Sequence, residues 1–217
     1  MAATSDPKWL RFLSRRLQWL AISNIAMVFV GIQAFGFLLV LTRPTTIELL
    51  PLVPDLVLQG QIWRLLTFLA VPMAMSPLWM IFALMFQYFV LNSIEAEWGE
   101  FKTSLYVVTS IVVTVIFSII FDYPVTSIAN FSSTLFLAAA ALFPEHEIRI
   151  YFAIPVKMKV LGWLALAFFL FRLLTSDWMD RLFLLATYSN YLIFFGPALL
   201  QRFHEWKRRK AFKANWK

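Results

Sequence analysis

An all-α membrane protein, a bundle of six transmembrane helices with both chain ends on the cytoplasmic side, is the fold class that this sequence predicts. Three observations predict it. Of 217 residues, 61% are hydrophobic and only 14% charged, and the mean hydropathy is +0.74, far from the usage of soluble globular domains. The apolar residues fall in long blocks near the ~20 residues that cross a bilayer as a helix, not in short amphipathic periods. Fifteen of the 19 Lys and Arg residues lie in segments that an inside N-terminus would place in the cytoplasm.

Residues 1–17 mix Trp9, Phe12, Leu13 and Leu17 with Lys8, Arg11, Arg15 and Arg16, a pattern suited to an amphipathic helix lying in the membrane interface. No cleavable signal peptide is expected, because no small-residue cleavage site follows a short apolar core. The six-span domain occupies 18–201, with spans near 18–41, 76–93, 103–121, 131–143, 157–174 and 182–201. The fourth is short, so it is expected to be a central helix, buried by its neighbours or crossing a locally thin bilayer. Arg172, near the outer end of the fifth span, is expected to snorkel or to pair with Asp177.

The connection 42–75 is unusually apolar and punctuated by Pro44, Pro51, Pro54 and Pro72. It reads as a loop in the interface, with Trp63 as its aromatic anchor and Arg64 reaching headgroups or capping buried carbonyls; a lateral gate is the functional alternative. Glu95, Glu97 and Glu100 mark the inner end of the second span, where Glu95 is expected to bond backbone groups or Lys102, and Gly99 to turn the chain through a positive φ. The segment Phe143 to Arg149 reads as a solvated cytoplasmic loop, and Pro155 as a residue near a helix start. The tail 202–217 carries seven basic residues among Phe203, Trp206, Phe212 and Trp216 and is expected to lie on anionic headgroups.

The composition also excludes chemistry. With no Cys, thiol nucleophiles, disulfides and Cys-based metal sites are impossible. His146 and His204 both lie outside the spans, and His146 between Glu145 and Glu147 does not make a tetrahedral metal set, so no metal or cofactor is expected. The formal charge of +7 gathers beside membrane segments, which points to anionic lipid as partner and not to nucleic acid. Ser110, Thr114 and Ser118 recur every four residues on the third span, a face suited to close helix packing. The only comparable polar residues elsewhere are Gln87, Asn92, Ser189 and Asn190, too few for a pore.

The string Gly60-Gln61-Ile62-Trp63-Arg64-Leu65-Leu66-Thr67, followed by a Pro-containing turn, a span and Glu95-Ala96-Glu97-Trp98-Gly99, resembles the first half of the rhomboid superfamily. The resemblance implies a six-span bundle with a Trp-Arg first loop and, in active members, an intramembrane serine protease. Its nucleophile would stand in Gly-x-Ser-Gly at the start of the fourth span, and its base would be a His of the sixth. Here the fourth span begins Asn130-Phe131-Ser132-Ser133, which keeps Ser132 as a vestigial nucleophile candidate and replaces both glycines. Counting back from Gly196 puts Ser189 or Asn190 at the base position; counting back from Glu95 puts Trp79 and Ala83 where oxyanion-binding residues would be. General-base assistance contributes roughly 10²–10⁴-fold and one oxyanion donor about 10²–10³-fold, so Ser132 is expected to be a capping or packing hydroxyl.

The expectation is therefore a non-enzymatic, rhomboid-like pseudoprotease, similar in logic to derlins, that binds transmembrane segments of partner proteins in scaffolding, quality control or trafficking. A protease with an atypical base and a small transporter are the alternatives. Short loops and the absence of Cys favour a bacterial cytoplasmic membrane over an early secretory compartment.

Overall fold

The computed structural model describes residues 8–145, 147–150 and 154–215. His146, residues 1–7 and Trp216 and Lys217 lie outside the described residues, as do the side chains of the tail, including His204 and the basic residues beside it. Among the described residues nine α-helices and one two-stranded hairpin follow in order. They are α1 (Lys8–Arg16), α2 (Ile25–Thr42), α3 (Pro54–Leu58), α4 (Arg64–Thr67), α5 (Pro77–Trp98), α6 (Glu100–Phe121), α7 (Ala129–Leu142), β1 (Glu147–Ile150), β2 (Ile154–Lys157), α8 (Met158–Thr175) and α9 (Trp178–Asn215).

Four of these helices, α2, α5, α6 and α8, are long and apolar enough to cross a membrane, which is the make-up of a multi-pass integral membrane protein. Their outward faces carry large apolar side chains such as Met27, Phe35, Ile81, Met85, Ile116, Trp163 and Phe168, and few residues of α8 are fully buried. Such surface suits a membrane environment. At 14 residues α7 is shorter, about 21 Å at 1.5 Å per residue, and it is the most enclosed: Leu135, Ala138 and Ala139 are fully buried. Its run of alanines lets neighbours approach closely, and a Cβ added at Gly162 of α8 would stand 2.8 Å from the Ala140 Cβ.

Around α7 gathers one core, to which α2 gives Phe29, α5 gives Leu91 and Ile94, α6 gives Tyr106 and Phe117, and α9 gives Phe183 and Phe195. The hydroxyl face of α6 packs inward against α9, with Ser110, Thr114 and Ser118 all buried. The first span starts later than 18: residues 18–20 make a 3₁₀ turn, and Asn24, in the left-handed region at φ 55°, begins α2. The expected cytoplasmic loop after Phe143 is instead partly a hairpin. Ile148, Ile150, Ile154 and Val156 alternate with charged residues and Pro155, the two-residue period of a strand, and Glu147 stands opposite Lys157 in the register. Pro155 falls in this two-stranded ribbon, where every strand is an edge and a missing N–H is tolerated.

The long connection 43–76 is tied down rather than loose. An antiparallel bridge joins Leu52 to Val125, with N–H to O distances of 3.1 and 2.8 Å, so the connection is sewn to the α6–α7 link. Gln33 of α2 donates to the Leu69 carbonyl, and Gly36 packs against the Ala70 carbonyl so tightly that a Cβ there would collide with it.

Candidate functional site

Ser132 lies in the first turn of α7, half-buried, and its hydroxyl donates to the Met73 thioether at 3.4 Å. A thioether is a weak acceptor and no base. One residue on, Ser133 bonds the Asn130 carbonyl at 2.8 Å and the Tyr188 hydroxyl of α9 at 2.6 Å. A phenol is already protonated near neutrality, so it cannot take a serine proton as an imidazole does. Tyr188 stacks on Phe169 of α8, with ring centres 4.0 Å apart, so three helices converge on this hydroxyl pair.

The structure thus brings Tyr188, not Ser189 or Asn190, to the start of α7. Ser189 bonds the Ala186 carbonyl of its own helix at 2.7 Å. Asn190 faces α6: its Nδ2 donates to the Tyr106 carbonyl at 3.0 Å and to Ser110 Oγ at 2.5 Å, while its Oδ1 accepts from Thr109 at 3.0 Å. A step of one residue turns a helix by about 100°, so a count made from Gly196 alone does not settle which face a side chain takes. The spacing Leu184, Tyr188, Tyr191 was the signal in the sequence for the face toward α7 and α8.

Next to this pair, Arg172 Nη1 donates to Asn130 Oδ1 at 2.9 Å. The expected pairing with Asp177 is not formed: Arg172 lies on the side of α8 that meets α7, whereas Asp177 follows the end of α8, and among the described residues the guanidinium has no carboxylate within 4.0 Å. Tyr123, in the α6–α7 link, donates to Asp180 Oδ1 at 2.6 Å. Burial first, then the Asp180 carboxylate, push its phenol up to about 12, so it remains a donor through the neutral range. Tyr123, Thr126, Ser127, Asn130 and Arg172 line a pocket of about 190 Å³.

Arg64 is 2% exposed and acts as an internal clamp. Its Nε donates to Gln61 Oε1 at 2.7 Å and its Nη1 to the carbonyls of Pro51 and Glu48 at 2.8 and 3.1 Å, the carbonyl capping that its setting had suggested. Trp63 is half exposed beside it, and Trp79 stands exposed in the first turn of α5 with its ring 6.4 Å from Phe82. At the other end of the bundle Glu95 Oε1 accepts the Asn24 N–H at 2.9 Å, joining the start of α2 to the α5–α6 corner. Gly99 turns that corner with φ 78°, as expected.

Helices α5 and α8 both pack on α7, and neither is a principal neighbour of the other, so α7 lies between them. Partly exposed rings on these two helices include Phe82 and Phe86 on α5, the latter 5.5 Å from Phe136 of α7, and Trp163, Phe168 and Phe171 on α8. Near the hairpin a cavity of about 220 Å³ lies where α5 meets the end of α7, lined by Phe89, Asn92, Ser93, Ala96, Phe143 and Met158.

Comparison of the chain with protein-family models, with curated proteins and with solved structures finds no match.

Proposed function

We propose that this chain is a six-span, rhomboid-like membrane protein with both ends in the cytoplasm, and that it binds transmembrane helices of partner proteins without cleaving them. The observation that carries this reading is the setting of α7. The hydroxyls at its start are engaged by Met73, Asn130 and Tyr188, groups that supply no general base. Along its sides, α5 and α8 expose apolar rings against which an incoming helix packs, and the cavity with Asn92 and Ser93 has room for one of its side chains. In lipid, such association is driven by packing and by interhelical hydrogen bonds, and a short central helix favours clients whose own spans are short or polar.

The orientation rests on the Lys and Arg bias, with Lys102, Arg149, Lys157 and Lys159 on the side of the tail. Membrane lipids are the second partner, through α1, where Leu10 is buried and Arg15 and Arg16 are exposed, and through the basic tail; nucleic acid has no place in this scheme. A bacterial cytoplasmic membrane remains the favoured location on the sequence grounds given above.

Photo-crosslinkers placed at Phe86 and Phe168, compared with one at lipid-facing Ile116 of α6, test the reading. Adducts with membrane proteins concentrated at Phe86 and Phe168 are expected; equal yields at all three positions would remove the binding site. A serine-reactive fluorophosphonate labelling the wild type but not Ser132→Ala would overturn the non-proteolytic part.

A further inference from the structure

We infer that the pocket at the start of α7 binds a phosphate oxyanion, with Arg172 as its cation. A guanidinium beside hydrocarbon is costly unless it is partnered. It offers five N–H donors, and the only hydrogen bond Arg172 makes among the described residues uses Nη1. No carboxylate among those residues neutralises it, and Asp180, the acid on the adjacent helix, is held by Tyr123. The cation therefore faces a pocket of about 190 Å³, well above the ~10–15 Å³ that a single water requires.

Three of the pocket's polar side chains agree in sign, while Tyr123 gives its proton to Asp180 and adds no donor. Because Arg172 donates to Asn130 Oδ1, the amide orientation is fixed and Nδ2 is left as a donor. Ser127 Oγ accepts the Ala129 N–H at 3.1 Å, which leaves its proton to donate outward. Guanidinium, amide and hydroxyl all need an acceptor-rich ligand, and planar N–H pairs suit the oxygens of a phosphate. Two sources share this chemistry: the phosphate of a phospholipid in the leaflet at this end of the bundle, and free inorganic phosphate. The inference rests on the membrane reading and not on client binding, so a failed crosslinking experiment leaves it standing.

Native mass spectrometry of the full chain with dioleoyl-phosphatidylglycerol tests it, comparing wild type, Arg172→Gln and Ala129→Leu. Ala129 is exposed at the pocket, and Leu there fills the space while keeping the cation. The wild type is expected to hold one lipid that both variants hold about tenfold more weakly, the cost of one charge-assisted contact. Binding displaced by millimolar inorganic phosphate assigns the site to the soluble ion, and binding that withstands it assigns the site to the headgroup. Equal lipid retention by wild type and folded variants overturns the inference. Should Arg172→Gln fail to fold, Ala129→Leu alone decides.

Discussion

Replacing Arg64 by Met keeps an unbranched apolar stem and removes the charged guanidinium with its donors. Three hydrogen bonds disappear, to Gln61 Oε1, the Pro51 carbonyl and the Glu48 carbonyl. Bonds from a charged donor are worth about 1.5–3 kcal/mol each, but exposed Glu48 regains water and Gln61 is only partly buried, so the net loss is about 3 kcal/mol. At roughly 2–4 °C per kcal/mol for a chain of this size, the melting temperature should fall by about 6–12 °C. Fluorescence of the nine tryptophans in detergent follows the transition, and limited proteolysis reports whether 43–76 has come loose. Arg64→Lys keeps a charge without the fork and should recover about half of the loss. If Arg64→Met melts within about 2 °C of wild type with the connection still resistant, the clamp is decorative and this reasoning fails.

Further substitutions probe the helix packing and the hairpin region. Asn190→Leu removes three contacts between α9 and α6; at about 0.6 kcal/mol each in lipid, rising to ~1.7, it should cost about 2 kcal/mol in detergent unfolding. Combined with Ser110→Ala it should cost less than the sum of the two single changes, whereas strict additivity would mean that the two residues do not interact. Glu145 is held below the ordinary carboxylate range by hydrogen bonds from Lys159 first and Lys157 second. With the folded value depressed, its contribution is present above the unfolded value of ~4.3 and is lost as pH falls through the folded one. A carboxyl titration by NMR should find a low midpoint that rises more in Lys159→Met than in Lys157→Met, and an unmoved midpoint would show that neither lysine matters.

The blocks that became α2, α5, α6 and α8 were legible because hydrocarbon imposes both length and composition on a crossing helix. Arg64 was legible too, since a cation in an apolar loop has few partners other than carbonyls. The rotation of each helix was not. In a soluble helix the polar stripe marks the outside, but here Met85 is exposed and Leu91 is buried with the same apolar chemistry, so periodicity carries no direction. That is why Tyr188, one residue from the counted position, and the Asn130–Arg172 pair emerged only from the assembled bundle. The hairpin escaped because its four-residue strands are too short to outweigh the charges and the proline around them.

The joints at residues 22–24 bear on how the chain is made. The Ile22 N–H donates to Ser104, Ser23 to Glu100, and the Asn24 N–H to Glu95, all of them 71 to 82 residues further along. At a synthesis rate of about 5–20 residues per second, those acceptors emerge roughly 4–16 s after the donors. During that interval the contacts of α2 with Leu69 and Ala70 can form, but the left-handed Asn24 that precedes it stays without its partner until the α5–α6 corner arrives. A pause in translation placed between residues 24 and 95 would lengthen the time for which this joint stays unmade.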